Sequence, residues 1–389
     1  MQESQIVAEV DLSAVSHNVR ALKEVIGPAV GLMAVAKSNG YGHGAIEIAK
    51  TAFESGADFI GVARFDEAMV LRQGGVTGPI LIFGHTRTER ARQLADHELT
   101  QTACSREYAQ RLSQSAALAG KRVSVHLKLD TGMGRLGILH EHYQGDNADS
   151  HREASDEIRH IATLPGLKLT GIYTHFSASD APENPHNNTQ KELFKTCLDT
   201  LGPDAPPAHA ANGAAIFFFP ETRHQMVRAG SLVYGLCPPE LMGIAPHLIP
   251  SMTLKTRIVQ LKHIPEGFKL GYDCSWTAKR PTTIATVPLG YGDGYTRLFS
   301  NNGAMLVRGT PAPIAGKVCM DMTMLDVTDI KSVQEGDEVV IFGKQGDAEL
   351  SAQHLADTIG TIPEEIIVGL TARVPRIYIN REEAIRQAV

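Results

Sequence analysis

The chain has 389 residues and a formal net charge of -6, with 43% hydrophobic and 21% charged residues. This composition excludes a disordered or fibrous protein, and the length favours two domains over one. Because no long run of charges of one sign occurs, we expect neither a nucleic-acid-binding surface nor a membrane-binding one.

The N-terminus is polar and leads into a strand-like run at 6–10, not into a basic segment followed by an apolar one. The longest apolar stretches, such as 30–36 and 214–219, are far shorter than the roughly 20 residues that span a bilayer. We therefore expect a cytosolic protein without membrane helices. Its five cysteines are widely spaced and form no CxxC pair, which is typical of reduced thiols rather than of disulfides or zinc ligands.

The first two thirds of the chain alternates short apolar runs with amphipathic segments. Helices are predicted over 13–26, with Ser13 as the N-cap, and over 45–54. Eight apolar strands, separated by such helices, predict an α/β fold: a parallel (β/α)8 barrel of the TIM type over 12–243, with a doubly wound open sheet as the alternative. The predicted strands lie at 32–36, 59–63, 80–83, 100–103, 123–129, 167–174, 208–211 and 225–229.

After residue 243 the pattern changes to short strands separated by Gly, Pro and Asp turns, which predicts a second, mainly β domain over 244–389. The N-terminal strand, within 1–11, is expected to join it. Helices are predicted at 352–359 and 363–369. The predicted strands lie at 254–263, 282–288, 304–307, 312–319, 323–327, 338–342 and 376–379.

A polar stretch over 140–157 resembles a solvated loop insertion. It contains His140, His142 and His151, but no Cys or Asp accompanies them in a pattern typical of metal ligands. We therefore predict no metal site there.

Ionisable residues and glycines follow several of the predicted barrel strands, where the active site of such a barrel lies. Lys37 follows the first strand, and a lysine in a partly desolvated pocket favours the neutral amine that a Schiff-base nucleophile needs. A surface lysine just past a strand is the alternative. Gly213 and Gly230 could offer backbone N-H groups to a phosphate, or serve the backbone conformation alone.

Residues 34–44, AVAKSNGYGHG, resemble the cofactor-attachment motif of the alanine racemases, which are pyridoxal 5'-phosphate (PLP) enzymes whose fold contains such a barrel. Further segments that resemble the family follow in the family order. Eight ordered motifs are specific, whereas a single short one would not be. The other seven lie at 130–137, 174–176, 209–215, 226–230, 290–295, 316–321 and 373–376.

The resemblance implies an enzyme that interconverts L-alanine and D-alanine and supplies D-alanine for peptidoglycan. It implies that Lys37 attaches PLP and acts as one base, and that Tyr291, contributed by the partner subunit of a homodimer, is the other. Two bases suit racemisation because a proton leaves one face of the α-carbon and returns to the other. The implied cofactor contacts are Lys37, Tyr41, His175, Asn212, Gly213, Arg228, Gly230 and Ser231.

The resemblance also implies that Arg135 and the backbone N-H of Met320 hold the substrate carboxylate. Supporting roles fall on Lys128, which is often carbamylated in the family, and on His209 and Asp321. Arg228 would face the pyridine nitrogen of PLP.

Two positions depart from the commonest family pattern. Gly213 stands where a serine usually donates its hydroxyl to the phosphate, and Ala372 stands where a tyrosine often lines the substrate entrance. A smaller residue at 372 predicts tolerance of side chains somewhat larger than methyl, such as that of serine.

Three other PLP-binding classes remain as alternatives. One is a broader-specificity amino-acid racemase, and another is a barrel-type decarboxylase, which would pair the ring nitrogen with a carboxylate. The third is a small PLP-binding protein of cofactor homeostasis, which would lack the second domain.

Overall fold

The computed structural model describes residues 5–143 and 154–387, and the chain divides into two compact units. The barrel unit comprises Ala14–Gly40, Ala45–Ile249 and the C-terminal residues from Glu383 onward. The β unit comprises the start of the chain through Ser13, the short segment Tyr41–Gly44, and Pro250–Glu382.

In the barrel unit the first seven of eight parallel barrel strands pair in chain order, and the eighth pairs with the first. A further short strand, Ile138–Leu139, pairs with the fifth outside this order. The seventh and eighth strands are joined by hydrogen bonds from Gln225 N to Ala208 O (3.1 Å) and from Arg228 N to Ala211 O (3.0 Å). The predicted barrel is therefore confirmed, and the open-sheet alternative is wrong. Its strands are Gly31–Val35, Phe59–Val62, Ile80–Ile82, Leu99–Ala103, Val123–Asp130, Leu167–Tyr173, Ala208–His209 and Met226–Ala229.

Amphipathic helices cover the barrel. The first runs over Leu12–Ile26, and its N-cap is Asp11 rather than the predicted Ser13, because Asp11 Oδ1 accepts from Ser13 N at 2.9 Å. The predicted second helix is confirmed as Ala45–Glu54. The later ones are Phe65–Gln73, Ala91–Asp96, Arg106–Leu118, Ala154–Ala162, His186–Leu201 and Ala215–Phe218, with Arg381–Gln387 near the end of the chain.

Of the loop predicted over 140–157, residues 144–153 lie outside the described residues. A helical turn occupies Glu141–Tyr143, and a helix begins at Ala154, so the C-terminal boundary of the predicted loop was wrong. The third histidine of that stretch, His151, lies outside the described residues. Asp156 and Glu157 stand in the first turn of the helix, where carboxylates interact favourably with its dipole.

The β unit has a large main sheet with two small sheets beside it. Val7–Asp11 lies in the main sheet, antiparallel to Met252–Arg257 and parallel to Arg376–Ile379. The remaining main-sheet strands are Ala304–Val307, Thr310–Pro313, Glu338–Gln345 and Ala348–Leu350. The small sheets consist of Gln260–Ile264, Thr282–Val287 and Thr323–Asp326, and of Lys269–Leu270 with Trp276–Thr277; the helices of this unit are Ala352–Ile359 and Pro363–Val368.

Two strand predictions in the β unit were wrong. The run at 254–263 is two strands, Met252–Arg257 and Gln260–Ile264, which belong to different sheets. The strand predicted over 312–319 ends at Pro313, and only an isolated bridge from Ile314 to Leu325 follows it. Gly316, with φ of 88°, does not continue an extended strand.

Candidate active site

Lys37 lies directly after the first barrel strand, at the start of a left-handed turn. Ser38, Asn39, Gly40 and Tyr41 all have positive φ, between 49° and 62°. This conformation costs a non-glycine residue roughly 1–2 kcal/mol, so the turn needs support from its surroundings. Ser38 N donates to Glu67 Oε1 at 2.6 Å, and Asn39 Oδ1 accepts from Ala45 N at 3.0 Å. The half-buried Lys37 is thus held at the C-terminal end of the barrel.

The glycines that follow Lys37 allow close packing within the β unit. A Cβ at Gly42 would collide with the carbonyl oxygen of Ile367, and one at Gly44 would collide with the hydroxyl of Tyr378. Both glycines also have positive φ, 81° and 99°. Arg376 Nε donates to Gly42 O at 2.8 Å. The glycine spacing of the motif is therefore explained by packing, without any contact to a phosphate.

Tyr41 belongs to this same segment of the β unit. Burial, and then the negative charge of Glu364, raise the pKa of Tyr41 to about 12. The phenol consequently stays protonated at neutral pH and can donate a hydrogen bond. A donor of this kind suits the predicted phosphate contact, which remains a prediction.

Arg228 is buried at the end of the eighth strand, and among the described residues only neutral acceptors bind its terminal nitrogens. Nη1 donates to His209 Nδ1 (2.8 Å) and His209 O (3.0 Å), while Nη2 donates to Thr174 O (2.7 Å), Ala210 O (2.8 Å) and, more weakly, His175 Nδ1 (3.3 Å). A guanidinium has five N-H groups, and these acceptors use the four on Nη1 and Nη2. Within the described residues Nε has no acceptor.

The charges around His175 would suit an anionic ligand at the barrel mouth. Burial is the largest cause that holds the pKa of His175 well below its usual range, and the charges of four cations lower this pKa further. Because a neutral histidine surrounded by cations leaves a positive field uncompensated, an anionic ligand would be stabilised there. PLP, with its phosphate, fits this charge; the contact of Arg228 with its pyridine nitrogen stays a prediction. The four cations are Arg228, Arg135, Lys128 and Lys37.

The loop that carries Arg135 is shaped by Asp130. One carboxylate oxygen of Asp130 accepts from the backbone nitrogens of Gly132 (3.0 Å), Met133 (2.9 Å) and Gly134 (3.1 Å). Gly132 and Gly134 have φ of 123° and 69°, which explains the glycines of this motif. The loop leaves Arg135 exposed at the barrel end.

Lys128 is buried in the fifth barrel strand, just ahead of the loop that carries Arg135, and its Nζ donates to Leu136 O at 3.0 Å. Burial, followed by the like charge of Arg135, lowers the pKa of Lys128 to about 8. A substantial neutral fraction is therefore present near neutral pH, and the neutral amine is the form that takes up CO2. A carbamate on Lys128 would carry a negative charge, so Arg135 would attract this side chain instead of repelling it. The carbamylation implied by the resemblance stays a prediction, which the mass of the intact protein would check.

The remaining predicted cofactor contacts lie after the seventh and eighth strands. Gly230 precedes the helical turn Ser231–Tyr234, whose first backbone N-H groups lie at the end of the eighth strand. Asn212 Oδ1 accepts from Ala215 N at 3.3 Å, at the start of the following short helix. A Cβ added at Gly213 would meet Leu232 at an ordinary contact distance of 3.4 Å.

The β unit brings Tyr291, Met320 and Asp321 together on two adjoining loops. Tyr291 N donates to Cys319 O at 3.0 Å, and Gly292 N donates to Met320 O at 2.8 Å. The side chains of Tyr291 and Met320 are 40% and 53% exposed. The loops therefore present these side chains at the surface of the chain.

Arg373, which begins the motif at 373–376 but for which no role was predicted, ties these loops to each other. Its Nε lies 3.1 Å from the buried Asp293, and its Nη2 lies 2.8 Å from Asp321. Asp293 Oδ2 in turn accepts from Gly290 N at 3.0 Å, at the start of the Tyr291 turn. The available signal was an acidic residue in each of the two loops, Asp293 and Asp321. The sequence alone does not show which basic residue pairs with them.

His126 and Tyr173 are further residues of the barrel interior that sequence analysis missed. His126 Nδ1 lies 2.9 Å from His209 Nε2, and the His209 ring stacks on Tyr173 with 4.7 Å between centroids. Tyr173 Oη shares a 2.9 Å hydrogen bond with Thr102 Oγ1. His209, for which a supporting role is predicted, accepts hydrogen bonds from Arg228; the supporting role itself stays a prediction.

We expect mild acid to destabilise the protein through its buried histidines. Burial and the charge of Arg228 lower the pKa of His126 to about 4 and hold those of His175 and His209 well below their usual range. Below about pH 6.5 the unfolded chain takes up protons that the folded chain excludes, so the free energy of unfolding should fall by up to about 1.4 kcal/mol per pH unit for each such histidine. Urea unfolding between pH 7 and pH 5 measures this slope.

His126→Asn should reduce that slope, since it removes one of the three buried imidazoles. An unfolding free energy that stays constant over this range, or a slope unchanged in the variant, would contradict the expectation.

Among residues 5–143 and 154–387, no group of three or more His, Cys, Asp or Glu side chains could hold a metal ion. The two described histidines of the polar stretch bond to each other, with His142 N donating to His140 Nδ1 at 3.2 Å. Over the same part of the chain, no helix has the length and apolar character needed to cross a membrane.

Family models match both units of the chain. The model for the N-terminal domain of alanine racemases matches residues 10–238, and the model for their C-terminal domain matches residues 251–378. Together these matches cover most of the chain.

Individual proteins are similar over nearly their whole length. An alanine racemase of Desulfosudis oleivorans is 46% identical and covers 98% of both chains. The structure of an alanine racemase from Clostridium difficile 630 superposes with a TM-score of 0.90 at 32% identity, covering 97% of each chain. A histidine racemase from Leuconostoc mesenteroides subsp. sake superposes with a TM-score of 0.87 at 28% identity, covering 98% of this chain and 99% of the other.

Proposed function

Because the chain belongs to the alanine racemase family of PLP-dependent enzymes, we propose that it interconverts L-alanine and D-alanine with Lys37 and Tyr291 as the two bases. The observation that supports this most directly is the environment of Arg228, whose acceptors are all neutral and whose Nε remains available. A decarboxylase of the same barrel type would place a carboxylate at this position. The family match over residues 251–378 argues against a small PLP-binding protein without a second domain.

PLP, when bound, withdraws electrons from the α-carbon of the amino acid and so acidifies its α-proton. Arg228 donates a hydrogen bond but does not readily give up a proton, so it leaves the pyridine nitrogen unprotonated. The electron withdrawal is then moderate, which disfavours side reactions. Arg228 in this way favours racemisation over other reactions at the same carbon.

The two bases act on opposite faces of the α-carbon. Lys37 takes up or returns a proton at Nζ, and Tyr291 does the same at Oη. Arg135 and the backbone N-H of Met320 hold the substrate carboxylate between them, with Arg135 suited to a bidentate contact. Lys128 lies beside Arg135, and Asp321 is joined through Arg373 to the Tyr291 turn.

We place Tyr291 in a site completed by a second copy of the chain. Tyr291, Met320 and Met322 are large apolar side chains that are 40%, 53% and 48% exposed on the same pair of loops. Large exposed apolar side chains on neighbouring loops are typical of an interaction surface. The homodimer, its cytosolic location and the supply of D-alanine for peptidoglycan are parts of the proposal.

The test is an absorption spectrum of the purified protein together with a chiral assay on L-alanine. We expect a band of the bound cofactor at roughly 420 nm and the appearance of D-alanine. A band without turnover of alanine would favour another amino-acid substrate. The absence of both would overturn the proposal.

A second candidate function, racemisation of larger amino acids, is favoured by Ala372 and by the similarity to a histidine racemase. Ala372 is exposed and directly precedes Arg373, which holds the Tyr291 turn. With a methyl group here in place of a tyrosine ring, the entrance should admit larger side chains.

We expect Ala372→Tyr to lower kcat/KM for L-serine about 10-fold while leaving that for L-alanine within about 2-fold, because an added ring excludes the larger side chain. Steady-state kinetics with both substrates measure the ratio. Negligible turnover of L-serine by the wild type, unchanged in the variant, would count against a widened entrance.

Gly213→Ser should tighten PLP binding. The 3.4 Å spacing to Leu232 leaves room for the added Cβ, and a hydrogen bond to a charged group contributes about 1.5–3 kcal/mol, or about 10-fold or more in affinity. Titration of the apoenzyme with PLP measures the dissociation constant. Gly213→Ala is the matched control, since it adds the same Cβ without the hydroxyl; equal affinities of the two variants would show that position 213 does not face the phosphate.

A further inference from the structure

Three side chains form a continuous line of hydrogen bonds across the barrel interior. Arg228 Nη1 lies 2.8 Å from His209 Nδ1, and His209 Nε2 lies 2.9 Å from His126 Nδ1. The three residues come from the eighth, seventh and fifth strands of the barrel. His126 is 3% exposed and His209 is 1% exposed, so water has little access to the nitrogens of either imidazole.

Only one arrangement of protons satisfies this line when both histidines are neutral. A guanidinium donates and cannot accept, so Nδ1 of His209 must be an acceptor. A neutral imidazole carries one proton, which places the proton of His209 on Nε2. Nδ1 of His126 must then accept from it, and the proton of His126 lies on its own Nε2.

The surroundings favour this neutral state. Burial and the charge of Arg228 hold the pKa of His209 well below its usual range, and the same two causes lower that of His126 to about 4. Protonation of either ring would place a further cation beside a guanidinium that has no carboxylate among its hydrogen-bond acceptors.

Packing prevents the two rings from turning. A Cβ added at Gly171 would lie only 2.7 Å from three ring atoms of His126, so the imidazole packs directly on the backbone of this glycine. On another side the ring of Phe59 lies at 5.9 Å between centroids. The His209 ring is stacked on Tyr173 with an interplanar angle of 6°. Both imidazoles therefore keep the orientation in which their nitrogens face each other.

We propose that His126 is a positioning residue of the racemase: as the acceptor for His209 Nε2-H, it holds His209 as the acceptor for Arg228, so that Nε of Arg228 faces the pyridine nitrogen. The inference rests on the proposed function for its effect on turnover. The proton pattern itself does not depend on that function, because it follows from the three side chains alone.

Two substitutions separate this role from simple packing. His126→Leu has a comparable side-chain volume but no acceptor, so His209 Nε2-H loses its partner. His126→Asn keeps an acceptor, since the amide oxygen of asparagine stands close to the position of Nδ1. We expect kcat to fall about 10-fold in the leucine variant, as is typical when an outer partner of a site residue is removed. The KM for alanine should change little, and the asparagine variant should retain most of the kcat.

Gln101→Leu is the matched control. Gln101 is also fully buried in a barrel strand, and its Nε2 donates to Gly84 O at 2.7 Å and to Thr102 O at 2.8 Å, but it has no bond to the line of three residues. Its replacement should lower the unfolding midpoint without the loss of kcat. An unchanged kcat in His126→Leu, or an equal loss in the leucine and asparagine variants, would overturn the positioning role.

Nuclear magnetic resonance of the holoenzyme labelled with 15N in its histidine rings gives a second readout that does not depend on turnover. We expect His209 and His126 to be neutral and protonated on Nε2, with the two sets of ring signals identified by their loss in His209→Asn and His126→Asn. A proton on Nδ1 of either ring would overturn the inference even in an active racemase. The expected pattern in a protein that does not racemise alanine would overturn the proposed function and leave the hydrogen-bond line intact.

Discussion

Lys37→Ala is expected to lower kcat/KM for alanine by at least about 10⁴-fold, because one side chain both attaches the cofactor and acts as a base. The amine of Lys37 stands after a buried strand, at the end of the barrel where Arg228, Arg135 and Lys128 also lie. A methyl group offers neither a nucleophile nor a proton acceptor. Chiral assays of D-alanine formation measure the loss, and the absorption band at roughly 420 nm should disappear.

Lys37→Arg separates the chemistry of the amine from its charge. The guanidinium keeps the positive charge at this position but stays protonated and does not attach the cofactor. We expect it to be as inactive as the alanine variant. Activity of Lys37→Arg near that of the wild type would show that position 37 supplies only charge, and the assignment of Lys37 as base and attachment point would then be wrong.

The barrel could be predicted from the sequence because most of its strands are mainly apolar and buried on both faces. Runs such as Ile80–Ile82 are fully buried and contain no alternation that would suit a half-exposed sheet. Eight such strands favour a sheet closed into a barrel over an open sheet. The position of Lys37 after the first strand then followed from the rule that such barrels carry their sites at the C-terminal strand ends.

The boundaries that sequence reasoning missed depend on single backbone features. Both Asp11 and Ser13 can cap a helix, and only the 2.9 Å bond from Ser13 N to Asp11 Oδ1 shows which of them does. Likewise, the run at 254–263 is uniformly strand-like in composition. The run is divided into two strands because its two halves pair with different sheets. The residue types alone do not show which sheet each half joins.

The missed residues of the site have partners far away in the sequence. His126 lies in the middle of a buried strand and resembles any core histidine until His209 is found 83 residues later in the chain. Arg373 acquires its role through Asp293 and Asp321, each more than 50 residues away. Such contacts arise from the fold, so local patterns do not predict them. The family resemblance identified His209 and Asp321, but it did not show what they contact.

Mixing two inactive variants should restore activity if each site is shared between two subunits. In a dimer of one Lys37→Ala chain and one Tyr291→Phe chain, one site keeps both Lys37 and Tyr291, and the other site lacks both. After free exchange of subunits half of the dimers are mixed, so about a quarter of the wild-type activity should return. Each variant taken alone through the same exchange should stay inactive.

The double variant Lys37→Ala/Tyr291→Phe provides the opposing test when it is mixed with an equal amount of the wild type. With shared sites, a mixed dimer contains no intact site, so the activity should fall to about half of its value before exchange. If Lys37 and Tyr291 of the same chain formed the site, each wild-type chain would keep its own site and the activity would not change. Because one mixture should gain activity and the other should lose it, incomplete exchange or damaged protein cannot imitate both results. The exposed loops that carry Tyr291 and Met320 would then be the surface through which one subunit completes the site of the other.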